Sequence, residues 1–298
     1  MSITSRDKQI QIIACLTEGM SIRATERLTG IHRDTIMRLG ARIGAGCARL
    51  HDQTMVGIRT GRLELDELWA YVGKKQKRVK PQEINDKGDA WTYVALASSS
   101  RAIVSYWTSK RDSSNTREFI NDLRERVIGN PEISADGYLP YQSAIRDAFR
   151  ASAFGQITKT YSVSHIGKNA SSRYSPAEVI AVTLDVVAGD PQHISTSYVE
   201  RSHLTLRMSN KRFARLGNGF SKKIENHAAS VSLYVSHYNL CRPHQSLRMT
   251  PAMALGITDR VWSIGDLIDA ALATEDREKP LPSPEGTKRF RVIEGGKV

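Results

Sequence analysis

Leu63-Glu64-Leu65-Asp66-Glu67-Leu68-Trp69 is the stretch whose reading decides the fold. Its apolar side chains predict a strand over Arg62 to Val72, with Asp66 inside it. A carboxylate in such a run is poorly solvated, and Asp is depleted in strands. Ile133-Ser134-Ala135-Asp136-Gly137-Tyr138 repeats the pattern, with Asp136 at the end of a short strand and Gly137 allowing a sharp turn. Further on, Ser197-Tyr198-Val199-Glu200-Arg201-Ser202-His203-Leu204-Thr205-Leu206-Arg207 reads as a two-faced helix. Val199, Leu206 and Phe213 recur at sevens, while Glu200, His203 and Arg207 share the other face. Singly, these features are ordinary. A lone Asp is often a turn or a cap, and Glu–Arg on a helix is usually a solvated ion pair. Together, two strand aspartates and a helical glutamate, 70 and 64 residues apart, suggest a metal site that only a fold can assemble.

Three segments carry a family resemblance. Leu65-Asp66-Glu67-Leu68-Trp69-Ala70-Tyr71-Val72-Gly73-Lys74-Lys75, Asp136-Gly137-Tyr138, and Val199-Glu200-Arg201 through Leu206-Arg207 resemble the catalytic core of bacterial insertion-sequence transposases, in particular the insertion sequence one family. The resemblance implies a DDE recombinase with a ribonuclease H-like α/β fold, a mixed sheet flanked by helices, over residues 61–250. It implies Asp66, Asp136 and Glu200 as catalytic carboxylates holding two Mg²⁺ (or Mn²⁺) ions. Asp66 would bridge both, with Asp136 on one and Glu200 on the other. Arg207 would contact a phosphate of the element end, or else pair with Glu200. The implied activity is metal-dependent DNA cleavage and transfer of a 3′-hydroxyl into target DNA. The implied partners are double-stranded DNA, both terminal repeats and target, and further copies of the chain, at least a dimer, since two ends must be held together. Glu64 shares the strand face of Asp66 and competes for a ligand role; Glu67 points to the opposite face.

Composition agrees with a polyanion partner. The 298 residues carry 43 Lys+Arg against 31 Asp+Glu, a formal charge of +12, which favours phosphate through counterion release. Cys15, Cys47 and Cys241 form no metal-ligand spacing and no even disulfide set, which suggests a reducing compartment. No apolar run reaches the roughly 20 residues of a membrane span, and no signal-peptide segment follows Met1. The expectation is a cytoplasmic, DNA-associated protein.

Residues 1–45 predict an all-α, helix-turn-helix domain. Gly19 ends a first helix, Ser21 caps a second, Thr29-Gly30-Ile31 turns, and His32 or Asp34 opens a third. Arg33, Thr35, Arg38 and Arg42 of the third helix are candidates for DNA contact. A plain three-helix module with a solvated basic face is the alternative. Gly44, Gly46, Gly57 and Gly61 suggest a linker over 46–60. After the Asp66 strand, five Lys or Arg fall in the seven residues from Lys74 to Lys80. Lys74, Lys75, Lys77 and Arg78 are candidates for a phosphate clamp, against the alternative of a solvated loop.

Strands over 91–97 and 102–108, a helix over 115–127, a fourth strand ending at Asp136, a helix over 141–149 and a last strand over 156–161 complete the predicted sheet. A variable insertion is expected over 162–193, without clear periodicity apart from Val179 to Val187, then the Glu200 helix over 194–214, with Lys211 a further DNA contact. A long helix over 221–239, a helical segment over 251–274 and a mobile, charge-rich tail over 275–298 close the chain. Two other functions share part of this pattern. One is a DNA-binding regulator with a non-catalytic core. The other is a ribonuclease H-like nuclease without strand transfer.

Overall fold

The computed structural model describes residues 4–84, 86–161, 179–214 and 217–276. The chain begins with three helices, α1 (Arg6–Thr17), α2 (Ile22–Thr29) and α3 (Arg33–Thr54). Ser21 caps α2 as expected, its Oγ accepting from the Ala24 N–H at 3.1 Å. Gly30 ends α2 in the left-handed region at φ 71°, where a side chain would be strained.

The third helix corrects the sequence reading. It does not stop near residue 45 but runs to Thr54, through most of the expected linker. Gly44 and Gly46 do not break it, because their role is to make room. A Cβ on Gly44 would lie 2.1 Å from the Ala229 carbonyl oxygen, and one on Gly46 2.4 Å from that of Ala271. Both carbonyls belong to later helices that press directly on the α3 backbone.

Strand β1 (Ile58–Arg59) pairs in parallel with β5 (Val127–Ile128) in a small separate ribbon. The main sheet is built around β2 (Arg62–Val72). After two 3₁₀ turns, Gln76–Arg78 and Pro81–Glu83, β3 (Gly88–Ala97) pairs antiparallel with β2, and β4 (Ile103–Ser109) with β3. Helix α4 (Ser113–Arg126) crosses to β6 (Glu132–Asp136), which lies parallel to β2 on its other side. Helix α5 (Pro140–Ala148) then leads to β7 (Phe154–Tyr161), parallel to β6.

The sheet does not end there, contrary to expectation. Strand β8 (Val179–Ala188), from within the expected insertion, pairs antiparallel along β7 and completes the order β4-β3-β2-β6-β7-β8. Next come α6 (Ser197–Ser209), a 3₁₀ turn over Lys211–Phe213, α7 (Ile224–Leu240), the short α8 (Pro251–Ala254) and α9 (Ile264–Asp276). Helix α6 is thus shorter than the 194–214 predicted. Residues 162–178 of the expected insertion and 277–298 of the expected tail lie outside the described residues.

The result is a mixed α/β architecture, a mixed sheet with helices on both faces. Side chains alternate along β2. Leu63 and Leu65 enter a core with Phe119 of α4 and Tyr141 of α5. Leu68 enters the opposite core with Val199 and Leu206 of α6 and Val231 and Val235 of α7. These three leucines are fully buried, each contributing roughly 2 kcal/mol. Ile13, Ile43, Cys47 and Leu50 of the first helices share the Leu63 core, together with Leu233 of α7 and Leu267 of α9. The first three helices, the head of the molecule, are therefore part of one continuous core. Among the described residues, no helix is long and apolar enough to cross a membrane.

Candidate functional site

Asp66 lies mid-strand on β2, the neighbouring β6 ends at Asp136, and α6 crosses the same face carrying Glu200. The three carboxylates, separated by 70 and 64 residues, line one cleft of about 840 Å³, with Glu200 outside the tight cluster that Asp66 and Asp136 form with Glu67. His203 and Arg207 line it as well, so the shared face read from the helix period is the face turned to the cleft.

The carboxylates are closely attended. Asp66 Oδ2 lies 3.1 Å from His203 Nδ1, and its Oδ1 accepts from the Glu67 N–H at 2.8 Å. Asp136 Oδ1 accepts from the Tyr138 N–H at 3.2 Å, while Oδ2 lies 3.4 Å from Arg111 Nη2. Glu200 Oε1 accepts from Thr196 Oγ1 at 2.6 Å and from Lys159 Nζ. Burial and the nearby Asp66 charge push the Asp136 carboxyl up to about 6.

Glu67 is the residue that face alternation set aside. Its side chain does point to the α4–α5 side of the sheet, next to the buried Tyr141. Yet one carboxylate oxygen from each of Asp66, Glu67 and Asp136 lies within 4.8 Å of the others. The strands bring Glu67 and Asp136 together at the lip of the cleft, where alternation on a single strand has no say. Burial, then the Asp136 charge, raises the Glu67 carboxyl to about 8. Arg111 answers that charge with Nη2 at 2.9 Å and Nε at 3.0 Å from Glu67 Oε2. The same guanidinium stacks 3.8 Å above the Tyr138 ring. No sequence signal singled out Arg111 or Lys159, since each is matched to its carboxylate only by the fold.

Glu64 has a different task from the ligand role considered for it. It does not line the cleft. Its Oε2 accepts from the backbone N–H groups of Tyr198 and Val199, at 2.8 and 3.1 Å, in the first turn of α6. A carboxylate there meets unpaired helix N–H groups and the positive end of the helix dipole. Burial raises its carboxyl above the usual range despite these bonds. Glu64 thus ties the Glu200 helix to the strand that carries Asp66.

The DNA-contact candidates divide. Arg207 is in the cleft. Lys74, Lys75, Lys77 and Arg78 lie past the end of β2, six residues and about 20 Å of strand beyond Asp66. Lys74 Nζ is held by Glu83 at 2.7 Å, whereas Lys75, Lys77 and Arg78 are exposed. Arg42 is paired with Glu275 of α9 at 2.7 Å. Thr35 is half-buried and Arg38 exposed. Arg33 and Lys211, far apart in the sequence, line a second crevice together. The arrangement can bring carboxylate oxygens and cationic side chains to bear on one phosphate-sized object. Neither a protein-family model nor a curated protein matches the chain.

Proposed function

We propose that the protein is a DNA transposase of the DDE type, acting on the ends of its element by metal-dependent cleavage and 3′-hydroxyl strand transfer. The observation that carries this reading is the convergence of Asp66, Asp136 and Glu200 on one cleft from two adjacent parallel strands and a helix. The sheet supports it. Three antiparallel strands, a crossover helix and two further parallel strands form the order implied by a ribonuclease H-like core, to which β8 adds an edge. The α2–turn–α3 segment supports a helix-turn-helix head.

The donor set fits a hard divalent cation. Mg²⁺ takes oxygen ligands and keeps several waters, so a few carboxylates suffice. Asp66, Glu67 and Asp136 crowd carboxyl oxygens whose charged forms a cation would favour. Asp66, Asp136 and Glu200 would hold Mg²⁺ or Mn²⁺, with Glu67 a fourth candidate. Bound ions would supply Lewis acidity at the phosphoryl oxygens and a more acidic water or 3′-hydroxyl. The chain's own residues do the rest. His203 orients the Asp66 carboxylate, Glu64 holds α6 against β2, and Lys159 and Arg207 offer positive charge to a phosphate. Because two element ends must be joined, the active form is at least a dimer on DNA.

One observation favours a regulator with a non-catalytic core. Each carboxylate is already met by a basic side chain: Asp66 by His203, Asp136 and Glu67 by Arg111, and Glu200 by Lys159. A strand-transfer assay separates the readings. It uses pre-cleaved duplexes carrying the repeats that flank the chain's own gene, with Mg²⁺ or Mn²⁺, beside Asp136→Asn. Joined products that vanish in the variant are the expected result. Binding without metal-dependent chemistry would favour the regulator, and cleavage without joining the nuclease.

A further inference from the structure

A second cavity, about 820 Å³, opens where the helical head meets α6 and α7. Its charge pattern is unlike that of the cleft. Arg23, Arg33, Lys211, Arg212 and Lys222 line it, and no Asp or Glu does. Arg23, Lys211, Arg212 and Lys222 make no ion pair among the described residues, and Arg33 makes only a 4.0 Å contact with Asp34. Arg212 is half-buried, where desolvation disfavours its charge. An uncompensated cation in that position is costly, and an anion brought to it would offset the cost. The rest of the lining is largely apolar. Ile36 and Tyr234 are buried walls, and Met20 and Met37, 39% and 40% exposed, flank the opening.

We propose that this crevice holds one unpaired nucleotide of a nucleic-acid strand, its base against the apolar wall and its phosphate on the cations. The volume suits a single nucleotide rather than a duplex. Single strands are held by a cationic groove for the backbone beside surfaces that receive the bases, and here Met20 and Met37 supply the accessible apolar surface. Position supports the same occupant. Ser209 lines the crevice two residues after Arg207 of the cleft, on the same helix. A strand leaving the cleft along α6 meets the crevice next. The inference rests on nucleic acid being the partner, though not on strand transfer itself.

The test is fluorescence anisotropy of the full chain with a short labelled single-stranded oligonucleotide in EDTA, which silences cleft chemistry. Arg212→Gln is expected to weaken binding roughly ten-fold, with a flatter salt dependence. The double variant Arg23→Gln/Lys222→Gln, on exposed positions that leave the core intact, is expected to weaken it by a similar factor. A 4-thiothymidine in the oligonucleotide should crosslink to peptides around Met20, Met37 or Tyr234. Unchanged affinity in the double variant would overturn the proposal, even if strand transfer proceeds. Competition by a free mononucleotide as effective as the oligonucleotide would also overturn it, since the occupant would then be a small ligand. Crevice-dependent binding by a protein that joins no ends would uphold it while the transposase reading falls.

Discussion

The cleft and the crevice flank one helix and treat charge in opposite ways. In the cleft, every acid has a basic neighbour, from His203 at Asp66 to Arg111 between Glu67 and Asp136. In the crevice, five cations share a lining that contains no acid, and only Arg33 has one nearby, Asp34 at 4.0 Å. A compensated cluster can wait without a ligand at little cost in stability. An uncompensated one is held apart by its own repulsion and gains most when something else supplies the missing sign. The two regions are therefore expected to respond differently to substitution, pH and salt.

The largest effect should come from the cleft. Asp136→Asn should lower strand transfer at least about 1000-fold, some 4 kcal/mol in transition-state terms. It should leave thermal stability equal or higher, because a buried carboxylate crowded against Asp66 is gone. Parallel loss of activity and melting temperature would contradict a functional role for that charge. Next is the seam behind the crevice. Gly44→Ala sets a methyl 2.1 Å from the Ala229 carbonyl oxygen, and α3 and α7 must part. A loss of about 3 kcal/mol in denaturant unfolding is expected, with weaker oligonucleotide binding as the crevice walls shift.

A pH experiment sharpens the contrast. His227 is fully buried, and burial first, then the Arg212 charge, lowers its imidazole to about 4. The unfolded chain protonates it near 6.5, so the unfolded state takes up the proton first as pH falls. Its contribution is intact above pH 6.5 and is lost between about 6.5 and 4, to a total of about 3 kcal/mol. Denaturant midpoints at pH 7 and 4.5 for the parent and His227→Phe should differ in slope. An anion beside Arg212 should reduce that difference.

Glu64→Ala should cost about 2 kcal/mol, since the Tyr198 and Val199 N–H groups lose their acceptor. Its effect on activity should exceed that of an equally destabilising change elsewhere, because the Glu200 helix loses its tie to β2. The smallest effect belongs to the exposed Arg42–Glu275 pair. Glu275→Gln should change stability by under about 1 kcal/mol and leave both regions as they were.

The parts of this contrast were unequally legible. Asp66, Asp136 and Glu200 stand out because a carboxylate in a strand, at a strand end or on a helix face conflicts with its apolar surroundings. The Ser21 cap and Gly30 turn follow from local chemistry, and the structure contains both. Gly44 and Gly46 mislead because a glycine that ends a helix and one that admits a neighbour look alike locally. The difference lies in Ala229 and Ala271, far along the chain. Glu67 is missed because alternation describes one strand, whereas its partner Asp136 comes from another. Arg111, Lys159 and the whole crevice are invisible for the same reason. Val179 to Val187 is periodic, yet nothing local assigns it to the sheet, because most of strand β8 is exposed and its pairing with β7 is set by the fold.

The unbroken α3 has one more consequence. A head strung on a flexible tether could sample many distances from its core. This head is clamped to the sheet by two later helices, so its distance from the carboxylates is constant. The molecule works as a ruler. On the proposed reading, a duplex held by the head would meet the carboxylates a set number of steps away, and one lengthened by half a helical turn would offer them the wrong side.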